Sequence, residues 1–332
     1  MKTARILLFV LSCLASVRAC AAAGPLSFHS ETAEFGGKRY VRISDWARSG
    51  GFTIHWLKDE DTIQLSNHVS VLTFTKDSRE ATFNEIGVWL SYPIVMKNGA
   101  GYIAEMDIRT AIRPLLSPPN SRAIKTVVID PGHGGKDPGF QDGAHQEKKY
   151  TLLLAQELCD QLKRAGFKAS LTRTTDTFID KPLRPDIARR RGADLFISLH
   201  WNSAGSVRSD VKGVETYCLT PAGAPSTNAG NDLTGAELKP GNRNNDKNVF
   251  FAYELQRALV RGLGADDRGV RRARFAVLCD AEMPAILIEG GFMSDPAESR
   301  RIYDPAYRQK MAKSIVNGVL AYEKQVVPPA KK

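Results

Sequence analysis

In the stretch Val127-Val-Ile-Asp-Pro-Gly-His-Gly-Gly-Lys-Asp-Pro-Gly139, an apolar run stops at a histidine set among glycines and prolines. A short, β-branched run closed by such residues reads as a buried strand that delivers His133 into a loop. Two later segments repeat the pattern. Leu195-Phe-Ile-Ser-Leu-His200 and Ala285-Ile-Leu-Ile-Glu289 each run apolar and end on one polar, chemically capable side chain. If the three strands lie parallel in one sheet, their carboxyl ends share an edge, which is where open α/β sheets build their sites. His133, His200 and Glu289 then converge.

The surrounding residues, 125–325, alternate strand-like and helix-like patterns, as a predominantly parallel sheet requires. After the His133 loop a helix is expected from Glu147, with Leu152, Leu153, Ala155, Leu158 and Leu162 as its apolar stripe and Ala165-Gly166 as its stop. Further helices are expected through 184–192, 248–262 and 304–322. Strands are expected at 168–172, 213–219, 275–278 and 285–289. The fold class is therefore α/β: a mostly parallel mixed sheet flanked by helices, preceded by a small β-rich domain.

Glu147 opens its helix directly after the His133 loop, so its carboxylate can project back towards the strand ends. Two imidazoles and a carboxylate form the ligand set of a catalytic zinc site with one position open. Glu289, the fourth convergent group, suits a general base. Each histidine alone has a simpler reading, as a turn residue or a strand cap, and glutamates favour first helical turns for dipole reasons. Glu289 is harder to dismiss, because burying a carboxylate without a partner is costly. His145 competes with Glu147 for the ligand role. Asn202, Glu215 and Arg173 are candidates for supporting the ligands or touching substrate, and Arg189, Arg190 and Arg191 read first as a solvated basic helix face.

Residues 1–23 carry Lys2 and Arg5, an apolar core over 6–14 and then small residues, the layout of a secretory signal peptide too short to span a membrane. The alternative to plain cleavage is a lipid anchor on Cys20, which Arg18 fits badly. The formal net charge of +10 falls to about +7 once Lys2, Arg5 and Arg18 leave with the signal. That balance suits an anionic partner as readily as it suits solubility. Export argues against nucleic acid and places the chain in the periplasm or cell envelope, and no later run is long enough for a transmembrane span. Cys159, Cys218 and Cys279 are then left at wide spacing, as buried free thiols rather than a disulfide scaffold or zinc site.

Residues 27–115 show the period-two pattern of half-buried strands in Lys38-Arg-Tyr-Val-Arg-Ile43, Thr62-Ile-Gln-Leu65 and Val69-Ser-Val-Leu-Thr-Phe-Thr75, with Asn98-Gly99 as a hairpin turn. This unit reads as an accessory domain for positioning or wall binding rather than catalysis, and its His29, His55 and His68 as surface or structural residues. The Pro-rich stretch 116–124 is the linker, and 326–332 a disordered tail. Residues 220–247 form a long polar, glycine-rich connection, which reads equally as the rim of the groove or as a mobile surface insert. They are too rich in glycine, proline and asparagine for a long helix. Gly132-His-Gly-Gly-Lys136 does not match a phosphate-binding loop, and no His-Glu-x-x-His helix is present.

Val128-Ile-Asp-Pro-Gly-His-Gly-Gly-Lys-Asp-Pro-Gly139, Glu147-Lys148, Leu171-Thr-Arg-Thr174, Ala193-Asp-Leu-Phe-Ile-Ser-Leu-His-Trp-Asn202, Gly213-Val-Glu215, Asp267-Arg-Gly-Val270 and Pro284-Ala-Ile-Leu-Ile-Glu-Gly-Gly-Phe292 stand in one order. They resemble the motifs of zinc-dependent N-acetylmuramoyl-L-alanine amidases, the third named family of cell-wall amidases, over nearly all of 125–325. The resemblance implies one Zn²⁺ on His133, Glu147 and His200, a catalytic Glu289, and hydrolysis of the amide joining N-acetylmuramic acid to L-alanine in peptidoglycan. Some members of that family carry a blocking helix that needs an activator; 220–247 lack its pattern, so the resemblance implies an open site, and the residues name no protein activator. The N-terminal unit loosely resembles the small N-terminal domain of copper amine oxidases, without copper ligands that match. Two readings compete: a wall-binding or regulatory protein on an inactive amidase fold, and a zinc peptidase cutting within the stem peptide.

Overall fold

A computed structural model describes residues 30–57, 61–205, 210–230 and 232–328. The signal peptide over 1–23 with Cys20, His29 and the last four residues of the tail lie outside the described residues. Among the described residues no helix is long and apolar enough to cross a membrane.

The N-terminal strands come from alternating sequence. β1 (Thr32–Phe35) and β2 (Lys38–Arg42) lead into α1 (Ile43–Ser49), and a meander follows: β3 (Thr53–Leu57), β4 (Thr62–Ser66), β5 (Val71–Thr75), β6 (Glu80–Phe83) and β7 (Ile86–Trp89). Along it Ile63, Leu65, Leu72, Phe74 and Phe83 point inward while their neighbours stay more exposed. β8 (Val95–Lys97) and β9 (Ala100–Ala104) join through Asn98 and Gly99, both at positive φ, as the hairpin signal requires. Strands β1, β2, β9 and β8 make a separate antiparallel sheet in that order. The N-terminal region closes with α2 (Glu105–Asp107), a π-turn over Ile108–Ile112 and α3 (Arg113–Leu116).

The second region builds β10 (Thr126–Pro131), a small hairpin of β11 (Gln141–Asp142) and β12 (His145–Gln146), α4 (Glu147–Arg164), β13 (Lys168–Leu171), α5 (Leu183–Arg190) and β14 (Leu195–Asn202). It continues through β15 (Val214–Leu219), α6 (Asn245–Leu263), β16 (Asp267–Ala273), α7 (Ala276–Cys279), β17 (Ala285–Phe292), α8 (Pro296–Tyr303) and α9 (Pro305–Val326). β13, β10, β14 and β17 run parallel side by side, β15 pairs antiparallel with β17, and β16 is parallel to β15. Burial on both faces explains why these strands read as near-continuous apolar runs. Val127, Ile129, Ile197, Leu199 and Ile288 share one core with α4, α6 and α9, whereas Val128, Phe196 and Leu287 pack with Ala188, Val277 and Leu278 on the other face.

The two regions expected from the sequence share one sheet. β7 lies parallel to β16 through Val88 and Val270, giving eleven strands in the order β13-β10-β14-β17-β15-β16-β7-β6-β5-β4-β3. Contact this close needs glycine on both sides: a Cβ on Gly87 would sit 3.1 Å from Gly269 Cα, and one on Gly269 2.9 Å from Gly87 O. Gly87 N donates to Asp267 Oδ2 (2.7 Å), Trp89 Nε1 to Arg268 O (3.2 Å), and Arg271 lies 4.4 Å from the Trp89 ring centre. The apolar core runs on from β4–β7 into α6, where Phe83 meets Tyr253 edge-on.

Several expectations are corrected. Residues 275–278 fold as the start of α7 rather than a strand, and the strand is β16, whose inward Arg271 and Arg272 disguise it. α8 was unmarked by periodicity, but Asp295 caps it through Ala297 N and Glu298 N with Pro296 at its first position. Val326 belongs to α9, is fully buried, and accepts a hydrogen bond from Ser121 N (2.7 Å), so the ordered body reaches into the expected tail. Cys159, Cys218 and Cys279 are buried and free.

Candidate metal centre

β10 ends at Pro131 and the chain turns through Gly132 into His133, whose φ of +61° is unfavourable for a residue with a Cβ. Polar contacts hold it there. Arg184 Nη2 donates to His133 O (2.8 Å), Asp137 Oδ2 meets His133 Nδ1 (2.9 Å), and Gly134 N donates to Asp137 O (2.9 Å). The next strand carries His200, and Glu289 stands beside it in parallel register on β17. Glu215 on β15 faces Glu289 across the antiparallel pair. Glu147 arrives from the other direction: the β11–β12 hairpin returns the chain, Glu147 N donates to Phe140 O (2.9 Å), and α4 begins.

Three ligand atoms meet. His133 Nε2 lies 3.0 Å from Glu147 Oε1, and His200 Nδ1 lies 3.1 Å from each of them. Metal–ligand bonds of about 2.0–2.1 Å at tetrahedral angles put neighbouring ligand atoms about 3.3 Å apart, so this donor set fits a small divalent ion with little adjustment. Asp137 on Nδ1 fixes the His133 tautomer that turns the Nε2 lone pair inward. Phe140 N (3.0 Å, to Oε2) and Trp201 N (3.1 Å, to Oε1) aim the Glu147 carboxylate. Space for the ligands depends on two glycines. A Cβ on Gly132 would stand 2.5 Å from His200 Nε2 and 2.8 Å from Nδ1, and one on Gly139 2.5 Å from Glu147 Oε2.

The electrostatics separate the carboxylates. Burial pushes the Glu147 carboxyl up, but its hydrogen bonds to His133 and His200 outweigh that and hold it well below the usual range. For Glu289, burial first and then the Glu147 and Glu215 charges all push upward, well above the ordinary value. Glu289 Oε2 is shielded from solvent and has no hydrogen-bond partner, an expensive state for a carboxyl group with no task there. Glu215 is the opposite case: Arg268 Nε (3.0 Å), Arg271 Nε (2.9 Å), Tyr217 Oη (2.9 Å) and Asn202 Nδ2 (2.6 Å) surround it.

His133, Glu147 and His200 form the one such metal-capable group among the described residues, with Glu289 beside His200. His145 is outside it, stacked on Tyr303 at 3.9 Å and bonded to Tyr150 Oη. His55 and His68 do not join it either. Asn202 Nδ2 donates to Glu215 Oε1, which faces Glu289. Arg173 is buried, and its guanidinium donates to the carbonyls of Pro131, Gly132, Lys148 and Thr175, which stiffens the turn before His133. The loop after β15 packs against the N-terminal region. Arg79 takes the carbonyls of Ser226, Thr227 and Gly230, and Tyr92 Oη that of Gly223, so the loop is bound to the N-terminal strands.

Sequence reasoning missed Asp130, Asp137 and Arg184. Asp130 is fully buried and accepts from Thr172 Oγ1 (2.6 Å), Ser198 Oγ (2.9 Å) and Arg184 Nη1 (3.0 Å), tying three segments under the His133 loop. The signal was present: an acid inside an apolar strand demands a cation or several donors.

A family model described as N-acetylmuramoyl-L-alanine amidase matches residues 127–321. Among curated relatives, the amidase AmiC of Neisseria meningitidis is 34% identical over 218 residues, covering 59% of this chain and 52% of its own length. AmiA of Escherichia coli is 32% identical, covering 60% of this chain and 76% of that one. This chain thus spans about half of the first relative and three quarters of the second. The solved amidase AmiC2 of Nostoc punctiforme superposes with a TM-score of 0.51 at 31% identity, covering 61% of this chain and 99% of that structure. With the matched segment enclosing His133, Glu147, His200 and Glu289, the chain belongs to the N-acetylmuramoyl-L-alanine amidase family.

Proposed function

We propose that this chain is an exported peptidoglycan hydrolase that cleaves the amide between the lactyl carboxyl group of N-acetylmuramic acid and L-alanine. One zinc ion would be held by His133 Nε2, Glu147 Oε1 and His200 Nδ1. The observation that carries the reading is the unpartnered Glu289 Oε2 on the strand next to this donor set. Zinc bound there supplies Lewis acidity, polarising a carbonyl and bringing the pKa of water from 15.7 towards about 7.

Glu289 moves the proton. Its Oε2 accepts one from water as the water oxygen bonds to the lactyl carbonyl carbon, and returns it to the alanine nitrogen as the C–N bond breaks. The raised affinity of this carboxyl for a proton suits both halves of that transfer. Glu215 stays neutralised by its arginines, which leaves Glu289 as the exchanging group. Asp130, Arg173 and Arg184 keep the His133 turn in place while substrate binds. Residues 27–115 are proposed to bind the wall and present the cleft to it.

The test is digestion of purified peptidoglycan with and without a chelator, followed by identification of every new amino terminus. L-alanine at that terminus, lost with chelator and restored by zinc, supports the reading. A terminus further along the stem peptide makes the protein a zinc peptidase, and no release makes it a wall-binding protein on an inactive fold.

A further inference from the structure

The cleft beside Glu289 is lined by Phe178, Ile179 and Lys181 from the segment before α5, by Phe275 and Val277 at α7, and by Leu287. These six make an apolar lining with one exposed ammonium group on it. The neighbouring basic side chains are already committed. Arg184, which also lines the cleft, spends its guanidinium on Asp130 and the carbonyls of Ile179, Pro131 and His133. Arg173 is buried among carbonyls, Arg189 and Arg190 pair with Asp186, and Arg191 donates to Leu171 O. Lys148 pairs with Asp176 (2.7 Å), Lys136 stands 4.5 Å from the Phe178 ring centre, and Arg268 and Arg271 pair with Glu215. The Lys181 ammonium has no ion pair or hydrogen bond among the described residues.

We infer that Lys181 is a specificity residue that recognises a free carboxylate on the stem-peptide residue after L-alanine. This rests on the amidase reading. Once the scissile amide lies between the donor set and Glu289, the next residue begins about 3.8 Å further along the chain. In wall peptides that residue is a γ-linked glutamate whose α-carboxyl is either free or converted to a carboxamide. An apolar lining accepts the alanine methyl and excludes water, which strengthens an ion pair formed at its edge. A carboxylate gains from Lys181, and a neutral carboxamide does not.

The experiment compares kcat/KM for two defined muropeptides that differ only in that carboxyl group, with the zinc-loaded protein and its Lys181 variants. Wild type is expected to favour the free carboxylate by about 1.5- to 5-fold, the range of one exposed charge pair. The preference should shrink as salt rises. K181M should bring the ratio to about one, K181E should invert it, and K181R should keep it. Equal cleavage of both compounds by wild type, or an unchanged ratio in K181M, overturns the assignment while the amidase reading stands. Cleavage of neither compound removes the amidase reading and this inference with it.

Discussion

Gly132→Ala isolates the geometry of the metal centre from its chemistry, because it adds one methyl group and removes no donor. The new Cβ would lie 2.5 Å from His200 Nε2 and 2.8 Å from Nδ1, whereas comfortable contacts between such atoms are about 3.5 Å. The imidazole must therefore retreat by about 1 Å, and metal coordination tolerates only about 0.2 Å. With one of three ligands displaced, zinc affinity should fall by about 100-fold or more, and overpacking should cost about 1–3 kcal/mol in stability. Gly143→Ala is the control. Gly143 also has positive φ (+56°), but nothing lies within 4 Å of where its added methyl group would stand, so about 1–2 kcal/mol of strain is expected with zinc affinity unchanged. Competition against a fluorescent chelator measures affinity, and urea unfolding of the metal-free proteins measures stability. If Gly132→Ala binds zinc as tightly as wild type, the placement of His200 against that turn is wrong.

Glu289→Gln should keep zinc and lose about 10²- to 10⁴-fold in kcat, while His133→Ala should lose the metal itself; metal analysis beside turnover separates the two. Asp137→Ala frees the His133 Nδ1 and the Gly139 N from which it also accepts (3.1 Å), and should weaken zinc binding by about 10- to 100-fold, read by the same chelator competition. Asp107, buried where the N-terminal strands meet the rest, has its carboxyl pushed up to about 6 by burial, against the opposing hydrogen bonds of Ser91 N and Tyr92 N. A pKa above the unfolded value means its contribution is present in full below about 4 and is lost as pH rises through about 6, a total of about 3 kcal/mol. Urea unfolding of wild type and Asp107→Asn from pH 4.5 to 7.5 should show a difference between them that narrows or reverses across that window, and a constant difference would refute the assignment.

His133, His200 and Glu289 were legible because each ends an apolar run, and a sheet converts such endings into neighbours. Glu147 was legible only as a helix start; its place among the ligands depends on the hairpin that returns the chain over Phe140. Asp137 and Arg184 escaped notice because their value lies in what they hold, His133 Nδ1 and the Asp130 carboxylate, and no local spacing records that. β16 was hidden for a related reason. Its inward arginines look like surface residues until Glu215 and the carbonyls of Leu219 and Thr110 are seen to meet them. The junction of β7 with β16 depends on two glycines distant in sequence, each unremarkable alone.

That junction has a mechanical consequence. A binding module on a flexible tether raises local concentration and leaves the enzyme free to rotate, so grip and aim are independent. Here hydrogen-bonded backbone runs from the outermost N-terminal strand to the one carrying Glu289, and Arg79 locks the loop alongside. Any hold those strands take on a glycan mesh fixes the angle of attack as well as the distance.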